Sequence, residues 1–443
     1  STKKRKNLEG DNKGSEIHTR IPEVAKVYSN ALNVKLLFKL AIIEFKNIIR
    51  DNFFIAILVA AVLFLFFGAW FGFPVYGTPS LPLTYYMLEV KDFEFIILIF
   101  VLIVFMTGEV LHRERNVNYD QIFGSLPIPN GIIYGSKFLA LTFVSFLLVN
   151  LILISGVFNQ VIKGYFNFEF DKYFTDLYLI EFPKYIIFVM LAFCVHSLVT
   201  KKFIGHVIAI AIWATLFGLN SFLDVDNNLY LYSYAPGYTV SDMNGFGHFG
   251  TSLFWFRLYW LAFGAILTLL GFLFWKRGTD SGRKARLQIA RGRLKVSTLS
   301  SIILLVIIWL GSGAFINYNT KTLNNYRTEK AGTIASADYE KQLSQYYRKT
   351  QPKVIDVKVN ADLVPEKRRA TIKVTYKMVN KSNETIDSLH LNWGGPGIFH
   401  KKVEDFKIDG KTPVLGKKYE AFGYEIYSLG QSMQPNDTLV MEL

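Results

Sequence analysis

The side chains best placed to do chemistry are ionisable groups set inside or against long apolar runs. Glu109 and His112 stand near one end of such a run, His196 and His206 flank Lys201 and Lys202, and Arg257 opens another. A charge in hydrocarbon is costly, so such positions mark candidate proton relays, ion paths or substrate contacts. Glu109 lies deepest and is the first candidate. Snorkelling or helix capping explains each of them as well, because most lie close to the end of a run. A second group follows at once: Glu114, Arg115, Asn118 and Asp120 in HRERNVNYDQIFGSLPIPNGIIYGSKFLAL, where Pro127 and Pro129 end any short helix. Charge on a short helix beside a membrane suits docking to a soluble partner. A plain solvated connection is the alternative.

Other chemistries lack their residues. Cys194 is the only cysteine and lies in an apolar run, so no disulfide framework or cysteine-based metal site can form within one chain. The phosphate-cradling pattern G-x-x-x-x-G-K-[ST] does not occur; GTDSGRKA, from Gly278, lacks its Gly-Lys pair. ATP hydrolysis therefore has to come from another chain. A net charge of +14 would point to nucleic acid on a soluble protein. Here the cations border apolar segments, so anionic lipid and topology explain them, and no nucleic-acid partner is expected.

The elements that position these groups are membrane spans. Hydrophobic residues make up 51% of the chain, more than a soluble domain needs to bury. Runs able to cross about 30 Å of hydrocarbon fall at 53–73, 95–111, 138–158, 185–200, 203–223, 258–275 and 296–316, the fourth of them short. Lys and Arg gather before the first span, after the second, between the fourth and fifth and after the sixth. Residues 224–251 contain neither. By the bias of cations toward the cytoplasm, the basic segments share that side and everything past Ile316 is exported. Within 32–50 the spacing places Val34, Leu37, Phe38, Ala41, Phe45 and Ile48 on one helical face and Lys35, Lys39, Lys46 and Arg50 on another, which predicts a helix lying in the headgroup plane. The outer loop around Tyr230, Tyr232, Tyr234 and Tyr238 reads as a cap on a substrate path or as interfacial anchoring.

Past the last span the period changes to two. Ala370, Ile372, Val374, Tyr376 and Met378 alternate with Arg369, Thr371, Lys373, Thr375 and Lys377, which predicts a sheet with one buried face. Ile355, Val357 and Val359 repeat the pattern, as do Leu389, Leu391 and Trp393, with turns at 380–383 and at Asp409-Gly410. The expected fold is an α-helical polytopic membrane bundle of about seven helices followed by an all-β antiparallel, sandwich-like extracytoplasmic domain. Its expected parts are a disordered cytoplasmic linker (1–30), an amphipathic interfacial helix (31–50), a six-helix bundle (51–275), a basic cytoplasmic loop (276–297), a seventh span (298–316), a stalk (317–352) and a partial β-sandwich (353–443).

The order of interfacial helix, two spans, charged loop and the phrase SLPIPNGIIYGSKFLAL resembles, over about 31–275, the membrane subunits of exporter-type ATP-binding-cassette (ABC) transporters. The resemblance implies a coupling helix between the second and third spans, with Glu114, Arg115, Asn118 and Asp120 as contacts of a cytoplasmic ATPase subunit that binds the ATP. It also implies pairing with a second permease half or a homodimer in a bacterial cytoplasmic (inner) membrane. The segment KVIDVKVNADLVPEKRRATIKVTYKMVNKSNETIDSLHLNW resembles the opening of the N-terminal β-domain of zinc aminopeptidases of the aminopeptidase N type. That family's H-E-x-x-H is missing, since Leu391 follows His390 and Lys401 follows His400, so zinc is expected only if a catalytic domain lies beyond Leu443. Gly394-Gly395-Pro396-Gly397 reads as a tight turn rather than the family's exopeptidase loop. A Ser start and an end within a strand predict a piece of a longer protein, which leaves open a further permease half before Ser1. Two functions follow: an exporter permease with an aminopeptidase-like outer domain, or a membrane-anchored zinc aminopeptidase whose helices serve as anchor.

Overall fold

A computed structural model describes residues 29–71, 78, 81–91, 95–223, 225–241, 243–277, 282–324, 326–367, 369–394 and 402–443. The expected linker lies outside these residues apart from Ser29 and Asn30, as do Asp280, His400 and the turn beyond Gly394. The chain divides into two compact units, Ser1–Thr215 with Tyr232–Ser312, and Leu216–Leu231 with Gly313–Leu443.

The first unit is helical. Its elements are α1 (Asn30–Ile49), α2 (Asn52–Phe71), α3 (Thr84–Val90), α4 (Ile96–Asn116), α5 (Asp120–Ser125), α6 (Asn130–Ile162), α7 (Phe170–Phe174), α8 (Phe182–Leu198), α9 (Lys202–Phe222), α10 (Phe249–Phe274), α11 (Arg283–Arg293) and α12 (Val296–Asn317), the ends of α9 and α12 running into the second unit. Among the described residues seven helices are long and apolar enough to cross a membrane, and with the antiparallel sheets that follow they bear out the expected architecture of a multi-pass membrane protein. Asp51 starts α2 by accepting from the amides of Phe53 and Phe54 at 2.9 and 3.1 Å. At the far end of α6, Gly164 at φ +73° closes the helix, and the amide of Tyr165 bonds back to the carbonyl of Gln160. The core is built around α4, α6 and α8, where Val104, Val110, Ala140, Val149, Ile187 and Phe193 are fully buried.

The fourth span is not short. It runs over Phe170–Leu198, with a π-helical turn at Thr175–Glu181 joining α7 to α8. Apolar counting stopped at Tyr185 because Asp176, Glu181 and Lys184 precede it. Those charges are neutralised in place: Lys91 Nζ lies 2.9 Å from Asp176, and Lys184 Nζ lies 3.1 Å from Glu181. The basic segment 276–297 likewise holds a helix, α11, where only a loop was expected.

In the second unit α13 (Glu329–Leu343) is capped by Thr328, whose hydroxyl accepts from the amide of Ala331 at 3.1 Å. Two antiparallel sheets follow. One has the order β1 (Lys353–Val364), β2 (Arg369–Val379), β7 (Thr438–Glu442), β4 (Lys407–Ile408); the other runs β3 (Ile386–Asn392), β6 (Tyr424–Met433), β5 (Val414–Tyr419). Met378, Ile386, Leu389, Ile408, Met433, Leu439 and Met441, drawn from both sheets, form their common core. Asp409 and Gly410, at φ +48° and +73°, make the expected two-residue turn. The expected buried face of β2 is realised only at its end. Met378 is buried, whereas Ile372 is exposed, as are Val359 and Leu363, which flank its partner Ala361 on β1. Ile355 is the extra residue of a bulge between Val354 and Asp356, so it falls out of step with Val357 and Val359.

Candidate functional site

The end of the first unit that carries α4's last turn is braced by one buried ammonium. Lys137, near the start of α6, is 1% exposed, and its Nζ donates to the carbonyl of Val110 at 2.6 Å, to Glu114 at 2.7 Å and to Glu44 at 3.2 Å. Glu44 accepts in turn from Arg113 at 2.8 Å. Two cations and two carboxylates thus join α1, α4 and α6, with all of Lys137's donors used, which is the condition for ions to be tolerated away from water.

From this brace the chain projects a knob. Asn118, at φ +53°, breaks α4 by turning the backbone left-handed, a conformation asparagine tolerates. The amide of Tyr119 then closes on the carbonyl of Glu114 at 2.8 Å, and α5 begins at Asp120. Pro127 and Pro129 prevent continuation until α6. Arg277, just beyond α10, holds the segment between α5 and α6: Nη1 donates to the carbonyl of Ile128 at 2.6 Å and to Asn130 Oδ1 at 2.8 Å, and Nη2 to the carbonyl of Leu126 at 2.5 Å. Burial pushes its guanidinium below the ordinary pKa, yet arginine remains cationic. Arg115 adds a bond to the carbonyl of Lys276 at 3.0 Å. The outer surface of the knob is apolar: Val117 is 67% exposed and Ile122 61%, with Tyr119 and Leu126 beside them. A rigid, apolar-tipped projection among cations can dock into a groove of another protein.

The proposed contacts therefore separate. Asn118 is exposed at the tip and Asp120 half-buried at the start of α5, whereas Glu114 and Arg115 turn inward to hold the loop. Val117, Tyr119 and Ile122 carry no charge, so no charge pattern in the sequence marks them. Lys137, lying in the quoted phrase just before an apolar run, was the visible signal of the brace. Lys35, Lys39 and Lys46 on α1 and Arg50 just after it are exposed, Ala41 and Ile48 are buried, and Val34 and Phe38 are exposed.

The intramembrane candidates fall into two places. Glu109 pairs with Lys202 at 2.6 Å. Beside it, the buried rings of His112, His196 and His206 succeed one another at centroid distances of 5.7 and 4.9 Å. Gly108 and Gly205 make room for them, since a Cβ at either would fall 2.3 Å from an imidazole atom. Both ring nitrogens of His196 lack hydrogen-bond partners among the described residues, and no metal-holding group of three ligands is found among them. Toward the other end of the bundle Arg257 is buried and donates to the carbonyls of Ile180 and Ser233, each at 3.1 Å. Tyr238 donates to Asp176, and the hydroxyl of Tyr232 reaches the carbonyl of Ile187 at 2.8 Å. These bonds tie residues 232–238 to the bundle.

Residues 40–219 match the family model described as ABC-2 family transporter protein. No curated protein matches the chain. The matched stretch contains most of α1, the brace, α5 and all helices through most of α9.

Proposed function

From the likeness of residues 40–219 to ABC-2 family transporter proteins, we propose that this chain is the transmembrane subunit of an ABC exporter, coupling ATP hydrolysis on a separate subunit to substrate movement across the membrane. The observation that carries this reading is α5, an exposed short helix between the second and third spans, fastened by Arg277 and tipped with Val117, Tyr119 and Ile122. A docking element must transmit force without deforming, and the Lys137 brace and the Arg277 clamp provide that stiffness. The ATPase binds on the side where Lys and Arg gather, taken as the cytoplasm of a bacterium with the chain in its inner membrane. A second permease half or a second copy completes the pathway, and lipids surround the bundle. The second unit stands outside the cell as an aminopeptidase-like domain; its two facing antiparallel sheets support that assignment.

The test is affinity purification of the full chain in mild detergent from cells that make its ATPase. Ile122→Asp with Val117→Asp places charge on the apolar tip and is expected to reduce recovery of the nucleotide-binding subunit at least about tenfold, the loss of one or two interface anchors, at unchanged melting temperature. Full recovery with the variant would overturn the docking assignment.

A further inference from the structure

The two faces of α11 differ in kind. Its inner face is a clamp on the ends of two spans: Arg286 donates through Nη1 to the carbonyl of Leu198 at the end of α8, and Arg293 through Nη1 to those of Phe272 and Trp275 at 2.6 and 2.5 Å. Carbonyls at a helix end have no partner within their helix, so these arginines cap α8 and α10. The outer face is a stripe at helical spacing, Lys284, Leu287, Arg291 and, past the helix end, Leu294 and Lys295, all exposed. Leu287 is 53% and Leu294 46% exposed. No carboxylate lies on the helix; Asp280 is the only acid between Lys276 and Asn317.

Position decides what such a stripe meets. α11 lies between the spans Phe249–Phe274 and Val296–Thr322, and an element of 11 residues is only about 16 Å long. Tethered at both ends, it stays within reach of the headgroups. We propose that the outer face of α11 is a binding site for anionic phospholipid: Leu287 and Leu294 enter the acyl boundary while Lys284, Arg291 and Lys295 take the phosphates. An acidic protein partner would use the cations but leaves the two leucines in the same stripe without a role. Headgroup occupancy then bears on the ends of α8 and α10 through Arg286 and Arg293. The proposal does not depend on the ATPase reading.

Native mass spectrometry of the full chain, with phosphatidylglycerol and phosphatidylcholine offered in turn, reads the site. The expected result is preferential retention of phosphatidylglycerol, lost in K284Q/R291Q/K295Q on the order of 100-fold, at about fivefold per cation. Arg286 and Arg293 stay untouched, so the clamp and the melting temperature are preserved. L287S/L294S, which keeps every charge, is expected to weaken lipid retention as well. Undiminished phosphatidylglycerol preference in the triple variant overturns the proposal. So does displacement by free glycerol phosphate with no effect of the leucine changes, which identifies a site for soluble phosphate. Loss of a co-purifying protein from the triple variant, with lipid retention intact, assigns the stripe to an acidic partner and overturns it too.

Discussion

Lys137 ties three helices together through one ammonium. Its ammonium is bonded to Glu44, Glu114 and the carbonyl of Val110, and removing one partner of a buried ion group costs far more than the group contributes relative to an apolar replacement. Lys137→Met leaves Glu44 and Glu114 facing each other without their shared cation, at an expected cost of about 3–5 kcal/mol. Glu114→Gln removes one negative charge but keeps an amide oxygen able to accept from Lys137, and costs less. Thermal unfolding in detergent measures both; equal melting temperatures for wild type and Lys137→Met would remove the brace from the account. The same logic applies to Glu114 and Arg115, whose side chains bond within the chain. Their types were legible in the sequence, but their direction is set by partners: Lys137 in α6 for Glu114, and the Lys276 carbonyl, far along the chain, for Arg115.

At the scale of elements, α5 exists because of one backbone position. Asn118 at φ +53° separates it from α4, and a β-branched residue there carries a strain of about 1–3 kcal/mol. Asn118→Val is therefore expected to loosen residues 117–126, seen as faster amide hydrogen exchange over that segment, whereas Asn118→Gly leaves exchange unchanged. Identical protection in the two variants would mean that the turn does not define α5. Short helices bounded by proline were readable from Pro127 and Pro129. The fastening by Arg277 was not, since nothing in the spacing links it to carbonyls of Phe123, Leu126 and Ile128. The fourth span shows the complementary failure: Asp176, Glu181 and Lys184 ended the apolar run, while pairing with Lys91 and within the turn lets the helix continue through them. The Asp409-Gly410 turn, a purely local matter of φ, was read correctly.

For the whole molecule, composition was enough to foresee helices that cross a membrane and then paired sheets, because apolar length and period two are properties of single segments. The exposure of Val359, Leu363 and Ile372 was not foreseeable, since alternation along a strand does not say whether another layer covers that face. Sidedness is the premise on which ATPase docking rests: the basic end that presents α5 has to face the cytosol. With Cys194 replaced by Ser, single cysteines at exposed Asn116 and Thr371 can be probed in cells with a membrane-impermeant maleimide. The account predicts that Thr371→Cys is labelled in intact cells and Asn116→Cys only after permeabilisation; labelling of Asn116→Cys from outside, with Thr371→Cys protected, would contradict it.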